Sequence, residues 1–308
     1  MKKFLIRACI LIIPIAIFIF YMEINLGKIQ NNYNYKRKCF ENQLDSIQVL
    51  VLGTSQAYMG INPDYFALKT FNLSGYNQSL YYDKALTLKY IDKMPKLKYV
   101  IISISYFSFG QQLIDGFEHW RDYYYSQYWG IDYPTIDKLD ARYISKIFLY
   151  IPNVSLTYLK QGFHVGLDIP EYNGYSWTDS TCSSFIINDT TGKNRVNIHN
   201  GYYKGKDRYS EHIDELTQLI NNLKKRNITP VIITPPVYNT YSKFTDKNII
   251  DKNAAIVQNI CNNFNCNYYN YFNDSRFIKC DFLSDDHLNS RGAVKFSKIL
   301  NKVILNNK

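Results

Sequence analysis

The hydrophobic pattern is densest at the start of the chain. From Phe4 to Tyr21 apolar residues run almost unbroken, with ILIIPIAIFIF (Ile10 to Phe20) at the centre. As a helix this stretch rises about 27 Å, sufficient to cross a bilayer core. Lys2 and Lys3 precede it and Arg7 interrupts it, which predicts a cytoplasmic N-terminus with the remainder of the chain outside. A cleaved signal peptide is the competing reading. Tyr-Met-Glu-Ile-Asn-Leu after the run lacks a small-x-small cleavage pattern, so an uncleaved anchor over 1–21 is favoured. Residues 22–45 are polar and mixed, and read as a juxtamembrane helix or stalk.

Beyond this point the period changes. Ile47–Gly53, Thr70–Leu73, Tyr99–Ile104, Pro230–Thr234 and Asn267–Tyr271 are short runs, mostly apolar and β-branched or aromatic, and predict strands. Leu80–Met94, Glu211–Arg226, Asn248–Phe264 and Ser290–Leu305 carry helical spacing. Strand and helix alternate at both ends of 46–308, which predicts a three-layer α/β/α sandwich around a mostly parallel sheet. In such sheets the chemistry sits at the carboxyl ends of the strands. Residues 107–203 break the alternation and are rich in aromatics, from Trp120 to Trp129. They read as an insertion, too long for a plain loop, that covers the active-site edge.

Composition narrows the function. The chain has 308 residues, 46% hydrophobic, enough for one well-packed domain with accessories. A net charge of +10 raises nucleic acid as a partner, but the lysines are scattered and no nucleic-acid motif accompanies them. An acidic lipid or glycan surface suits the charge better. Cys9 lies in the anchor; Cys39, Cys182, Cys261, Cys266 and Cys280 follow it. An oxidising compartment would permit disulfides among the last three, and free thiols are the equal alternative. No CxxC pair or His/Cys cluster points to a metal, and no cofactor is implied.

Two segments carry candidate chemistry. Gly53-Thr54-Ser55-Gln56 follows the first strand directly, where a serine hydroxyl can project above the sheet edge beside backbone N–H groups at a helix start. Serine and threonine are also ordinary helix caps, so this signal alone is weak. Asp285-Asp286-His287-Leu288-Asn289, with Gly292 after it, precedes the last helix. A histidine there can fold over the end of the first strand with a carboxylate beside it; an acidic cap cluster is the bland alternative. His199 and His212 have no discernible partner. His119 and His164 fall in the insertion, and Pro235-Pro236 are expected to shape a loop.

Together these segments resemble the SGNH (GDSL-type) hydrolase family. Gly53-Thr54-Ser55 matches its first block, whose serine is the nucleophile, and Asp285–Asn289 resembles its last block, which supplies base and carboxylate. Asn72-Leu73-Ser74-Gly75-Tyr76-Asn77-Gln78-Ser79 occupies the place of the second block. The resemblance implies Ser55 as nucleophile, His287 as base, and the backbone N–H groups of Ser55 and Gly75 as oxyanion donors. Two departures stand out. The third block, at Tyr99–Ser105, lacks its usual asparagine, for which Ser103, Ser105 or Tyr106 could substitute. The usual acid lies three residues before the histidine, where this chain has Ser284. Asp285 or Asp286 must then take the role, with Asp285 favoured, or the pair works as a Ser–His dyad. Asn77 and Trp120 are the expected substrate contacts.

With its anchor, the chain is similar in layout to membrane-attached SGNH-like proteins of extracytoplasmic glycan O-acylation. The implied activity is esterase or O-acyltransferase chemistry on acyl esters of surface or periplasmic glycans, beside a membrane-bound O-acyltransferase. A non-catalytic glycan-binding or scaffold module and a lipase or thioesterase are the alternatives.

Overall fold

The computed structural model describes residues 1–164, 171–176 and 186–306. Helices α1 (Lys2–Lys28) and α2 (Asn32–Glu41) lead into β1 (Val49–Leu52), α3 (Ser55–Gly60), β2 (Thr70–Asn72), α4 (Leu80–Tyr90) and β3 (Tyr99–Ser103). Then come α5 (Trp120–Tyr124), a π-helical turn (Tyr125–Trp129), and the short helices α6 (Ala141–Ile144), α7 (Lys146–Leu149) and α8 (Pro152–Lys160). A ribbon of β4 (Glu171–Tyr172) and β5 (Tyr175–Ser176) precedes α9 (Asp189–Gly201) and α10 (Tyr209–Lys224). The chain ends through β6 (Thr229–Thr234), α11 (Asn239–Ser242), α12 (Lys247–Phe264), β7 (Asn267–Asn270) and α13 (Ser290–Asn306). Each strand and helix expected from the periodicity is present, with ends shifted by a few residues.

The described residues form two compact units. One comprises Met1–Tyr35 and residues 120–164; the other comprises Lys36–His119, residues 171–176 and residues 186–306. The larger unit is built on a five-stranded, wholly parallel sheet in the order β2-β1-β3-β6-β7. Strands β1 (VLVL) and β3 (YVIIS) are buried along their whole length, as expected where both faces of a parallel sheet are covered. Val49, Val51, Ile101, Val231 and Ile233 pack against Phe296, Leu300 and Ile304 of α13. Leu50, Leu52, Val100 and Ile102 alternate with them, point to the opposite face and are equally buried. Helix α10 buries Leu216, Leu219, Ile220 and Leu223 along one stripe and packs beside α4 and β6. The edge strand β7 is half-exposed and polar at both ends.

This strand order reverses direction between β1 and β3. The chain leaves β1 for β2 on one side, then crosses back to β3 on the other. The carboxyl ends of β1 and β3 therefore flank a crevice, the usual ligand position in open parallel sheets. Ser55 stands at that crevice, three residues beyond the end of β1.

In the smaller unit the expected insertion at 107–203 is redistributed. Residues 107–119 and helix α9 belong to the larger unit, whereas 120–164 pack with the N-terminal helix. Helix α1 is long and apolar enough to cross a membrane, and its side chains from Ile10 to Tyr21 are exposed. Immediately afterwards Met22, Leu26 and Ile29 are buried with Tyr150, against Ile147, Tyr158 and Leu159. The aromatic density therefore builds a core around the end of α1, a pairing that no local pattern announces.

Asp83 on α4 ties the sheet to the crevice. Its Oδ1 accepts the Gly53 N–H at 3.0 Å and the Gln78 Nε2 at 2.6 Å. Burial pushes its carboxyl up to about 7, although both hydrogen bonds pull the other way. A folded-state value above the unfolded one means that the native protein binds more protons between about pH 4 and pH 7. Stability from this group therefore falls as pH rises through that window. Asp83→Asn keeps the acceptor for Gly53 and removes the titration. Its unfolding free energy relative to the parent, read from denaturant curves, is expected to improve from pH 5 to pH 8 by about 3 kcal/mol at most. A pH-independent difference would show that Asp83 does not titrate in this range.

Candidate active site

The site starts at a backbone turn. Gly53 has φ +133°, a conformation that residues with side chains rarely adopt. A Cβ there would also lie 2.8 Å from Ser103 Cβ, so the turn requires glycine on two counts. Thr54 is the N-cap of α3: its Oγ1 accepts from Gln56 N at 3.4 Å and lies 2.9 Å from Ser105 Oγ. Ser55 is the first residue of α3, so its N–H has no partner within the helix. Asn72 fastens the far end of this short helix, donating from Nδ2 to the carbonyls of Ala57 (2.9 Å) and Ile61 (2.8 Å).

The opposing loop is equally constrained. Residues 282–288 form a tight reversal with Phe282 bridged to Leu288, and Leu283 N donates to His287 O at 2.8 Å. Asn289 donates from Nδ2 to Cys280 O, while its Oδ1 accepts Gly292 N at 3.0 Å in the first turn of α13. A Cβ on Gly292 would lie 2.1 Å from Asp281 O, which explains the glycine after the histidine segment. Gln56 Nε2 donates to Asp286 O at 3.0 Å and so ties α3 to the loop. Tyr238 N, just after Pro235-Pro236, donates to Asp285 O at 2.9 Å and holds the loop from the other side.

Within this frame Ser55 Oγ lies 2.8 Å from His287 Nε2. On the other ring nitrogen, His287 Nδ1 lies 3.0 Å from Asp286 Oδ1. All three residues are buried. The expected carboxylate, Asp285, is elsewhere: its Oδ1 accepts the Thr240 hydroxyl on α11. The correction has a simple cause, since adjacent residues in the loop point to opposite sides and only Asp286 turns toward the ring. Ser284, three residues before the histidine, also reaches the ring. Its Oγ is 3.1 Å from Nδ1 and donates to Asp286 Oδ1 at 3.3 Å.

Asp286 is surrounded by positive or protonatable groups. Arg195 Nε on α9 donates to both of its oxygens, at 3.1 and 3.0 Å, and His199 Nε2 lies 3.9 Å from Oδ2. Burial alone would raise this carboxyl, but His287 and Arg195 outweigh it and hold Asp286 well below the usual carboxylate range. His199 is pushed down to about 3 by burial, against the pull of Asp286, so at neutral pH it is an uncharged neighbour. Its Nδ1 lies 2.5 Å from the Tyr241 hydroxyl. Arg195 and His199 were not singled out by sequence reasoning, which found no partner for His199. The available signal was their i,i+4 spacing on one helix face, but nothing in sequence directs that face toward Asp286.

The expected oxyanion donors fare unequally. Ser55 N–H is open at the head of α3, whereas Gly75 N–H donates to Gly53 O at 3.1 Å. Its single hydrogen is thus committed to holding the turn. Of the substitutes for the missing asparagine, Ser105 faces Thr54 and the Tyr106 hydroxyl donates to Asn200 Oδ1 at 2.6 Å. Ser103 Oγ is buried with no hydrogen-bond partner. Asn77 has φ +50°; its amide donates to Glu118 and its carbonyl accepts Gln111 Nε2 at 2.9 Å. Trp120 belongs to the smaller unit, edge-on to Tyr124 with the Arg121 guanidinium 4.3 Å from its ring centroid. Cys280 is disulfide-bonded, Cys261 and Cys266 are free thiols, and Cys182 lies outside the described residues.

The arrangement can deprotonate Ser55 through His287 and stabilise the resulting imidazolium through Asp286. Asp286→Asn is expected to slow reaction of Ser55 with a fluorophosphonate by on the order of 10³–10⁴-fold. Asp285→Asn should slow it by less than about tenfold, since its carboxylate does not touch the ring. A greater loss from Asp285→Asn than from Asp286→Asn would return the assignment to Asp285.

No family model and no curated protein matches the chain. Among solved structures it is similar to a protein described as an acylhydrolase from Bacteroides fragilis, at 9% identity and TM-score 0.43 over 89% of this chain and 97% of that one. A GDSL-like lipase from Bacteroides thetaiotaomicron is similar at 10% identity and TM-score 0.43, over 90% of this chain and 100% of the other. Likenesses of this order carry no weight for activity. The three-layer fold rests on the chain's own parallel sheet in the order β2-β1-β3-β6-β7, with Ser55 just beyond its first strand and His287 on the loop that precedes its last helix.

Proposed function

We propose that the larger unit is a serine esterase working through an acyl-enzyme on Ser55. The observation that carries this reading is the relay of Ser55 Oγ, His287 and Asp286, with separations of 2.8 and 3.0 Å. The relay requires the His287 tautomer with hydrogen on Nδ1, donated to Asp286, and a free lone pair on Nε2. Ser55 Oγ attacks the acyl carbonyl as its proton passes to Nε2. The Ser55 N–H, at the positive end of α3, faces the oxygen that becomes negative. Collapse of the tetrahedral adduct breaks the ester bond, and His287 returns the proton to the departing alkoxide. Water or a sugar hydroxyl then gives up its proton to Nε2 and attacks the acyl-serine; the acyl–Oγ bond breaks, and His287 returns the proton to Ser55 Oγ as the acid or the new ester leaves.

The reading extends to location and substrate. We place α1 across the cytoplasmic membrane with the larger unit outside, and we assign acyl esters of surface or periplasmic glycans as the substrate class. A membrane-bound O-acyltransferase is the corresponding partner. Support for these finer points comes from the basic flank of the apolar helix and from the sequence resemblance. With one backbone donor committed to the Gly53 turn and the third-block asparagine missing, weak turnover is expected; one lost donor costs about 3–4 kcal/mol of transition-state stabilisation.

Ser55→Ala is expected to abolish both turnover of p-nitrophenyl acetate and labelling by a fluorophosphonate probe. Undiminished labelling of that variant would sink the assignment. Failure of the parent protein to label, together with measurable glycan binding, would favour a non-catalytic module.

A further inference from the structure

Helix α12 ends in a turn that brings two cysteines together. Its buried stripe runs through Asn253, Val257, Ile260 and Cys261. Asn265 then takes the left-handed conformation that stops the helix (φ +48°), which asparagine tolerates better than most residues with a side chain. The N–H groups of Asn265 and Cys266 both donate to Cys261 O, the second at 3.0 Å. A stop of this kind sets the residue four before the left-handed one against the residue just after it, ordinarily as an apolar contact. Here both are cysteine, and their sulfurs lie 3.1 Å apart.

The two sulfurs have unequal surroundings. Cys261 is buried in the core, whereas Cys266 is half-buried and within reach of solvent. Lys224 on α10 caps the same helix end, its Nζ donating to Asn265 O at 2.7 Å. The C-terminal end of a helix disfavours an anion. The hydrogen bond between the sulfurs, helped by the Lys224 ammonium, nevertheless holds the Cys266 thiol below its usual value. The same hydrogen bond and burial push the Cys261 thiol up. One thiol is thus accessible and ready to ionise, and its neighbour is sheltered and protonated, the asymmetry that an attacking and a resolving thiol require. Among the described residues no third His, Cys, Asp or Glu joins them as a metal site.

We propose that Cys261 and Cys266 form a thiol–disulfide exchange site that accepts low-molecular-weight disulfides. The Cys266 thiolate attacks one sulfur of the incoming disulfide; that S–S bond breaks and the first small thiolate departs with the electron pair. Cys261 then gives its proton to the departing thiolate and attacks the Cys266 sulfur, releasing the second small thiol. Two cysteine thiols are oxidised to one disulfide while the external disulfide is reduced to two thiols, which carry away both protons. Closure ties the end of α12 to the residue that opens β7. An oxidising exterior keeps such a pair closed, and a reducing cytoplasm keeps it open. The pair lies at the amino ends of the parallel strands, whereas Ser55 lies past the carboxyl end of β1. It therefore stands whether or not Ser55 reacts.

The test equilibrates the full chain in mixtures of reduced and oxidised glutathione, quenches with iodoacetamide and digests with trypsin. Both sulfurs fall on one peptide, between Lys252 and Arg276, which holds no other cysteine. As oxidised glutathione rises, this peptide is expected to pass from two alkyl groups to none, with the loss of two hydrogens that marks an internal disulfide. Cys261→Ser is expected to stop at a glutathione adduct on Cys266, and Cys266→Ser to carry no adduct on Cys261. Two alkyl groups persisting in oxidised glutathione alone would overturn the exchange site and leave the pair as packing at a helix stop. An adduct on Cys261 with none on Cys266 would overturn the assigned order of attack. The parent measurement needs no substitution, so a variant that fails to fold leaves it decisive.

Discussion

The contact between Ser55 and His287 joins residues 232 positions apart, and most of the larger unit exists in a form that makes it possible. For the two to act as nucleophile and base, as proposed, they must be held within hydrogen-bond reach without either being free to drift. The sheet order delivers the serine to a crevice between β1 and β3. Gly53 turns the chain there, because only glycine fits both the φ of the turn and the closeness of Ser103. The histidine comes from a loop held by Asn289, Gln56 and Tyr238.

The same closeness explains how polar groups are distributed around the site. Asp83, Gly75 and Asn72 serve the turn and the short helix with hydrogen bonds aimed at backbone atoms. Gly75 cannot hold Gly53 and an oxyanion with one hydrogen, so the turn is secured at the cost of a donor. Around Asp286 the balance runs the other way. A carboxylate with almost no water contact would be neutral if left alone; Arg195 and His287 keep it charged. Truncating Arg195 would therefore leave a buried charge without its main partner, a change typically costing about 3–5 kcal/mol.

Along α1 the side chains from Ile10 through Tyr21 are exposed, and beyond them one stripe, Met22, Leu26 and Ile29, is buried, so the change falls where the apolar run ends. Aromatic residues between Tyr124 and Phe163 form a core with that helix end. Tyr150 shows how specific the packing is: its hydroxyl lies 2.7 Å from Tyr128 OH and accepts Asn31 Nδ2 at 2.6 Å.

Periodicity alone determined the strands, the main helices and the parallel three-layer class, because buried strands of a parallel sheet and one-sided helices leave period-specific marks in sequence. The apolar helix was legible from its unbroken run, and Ser55 and His287 stood out as a pair because each sits at a strand or helix junction; the structure brings them together. What sequence could not decide was direction. Asp285 and Asp286 are adjacent and chemically alike, and only the loop's path selects the one that meets the ring. Gly75 has the right motif, but a neighbouring carbonyl takes its hydrogen. Arg195 and His199 are on a helix whose approach to Asp286, 91 positions beyond Arg195, depends on the fold of the chain between them. The aromatic stretch after Trp120 finds its partner in the N-terminal helix for the same reason. Such pairings depend on three-dimensional proximity between distant segments, which tertiary packing creates and no local pattern records.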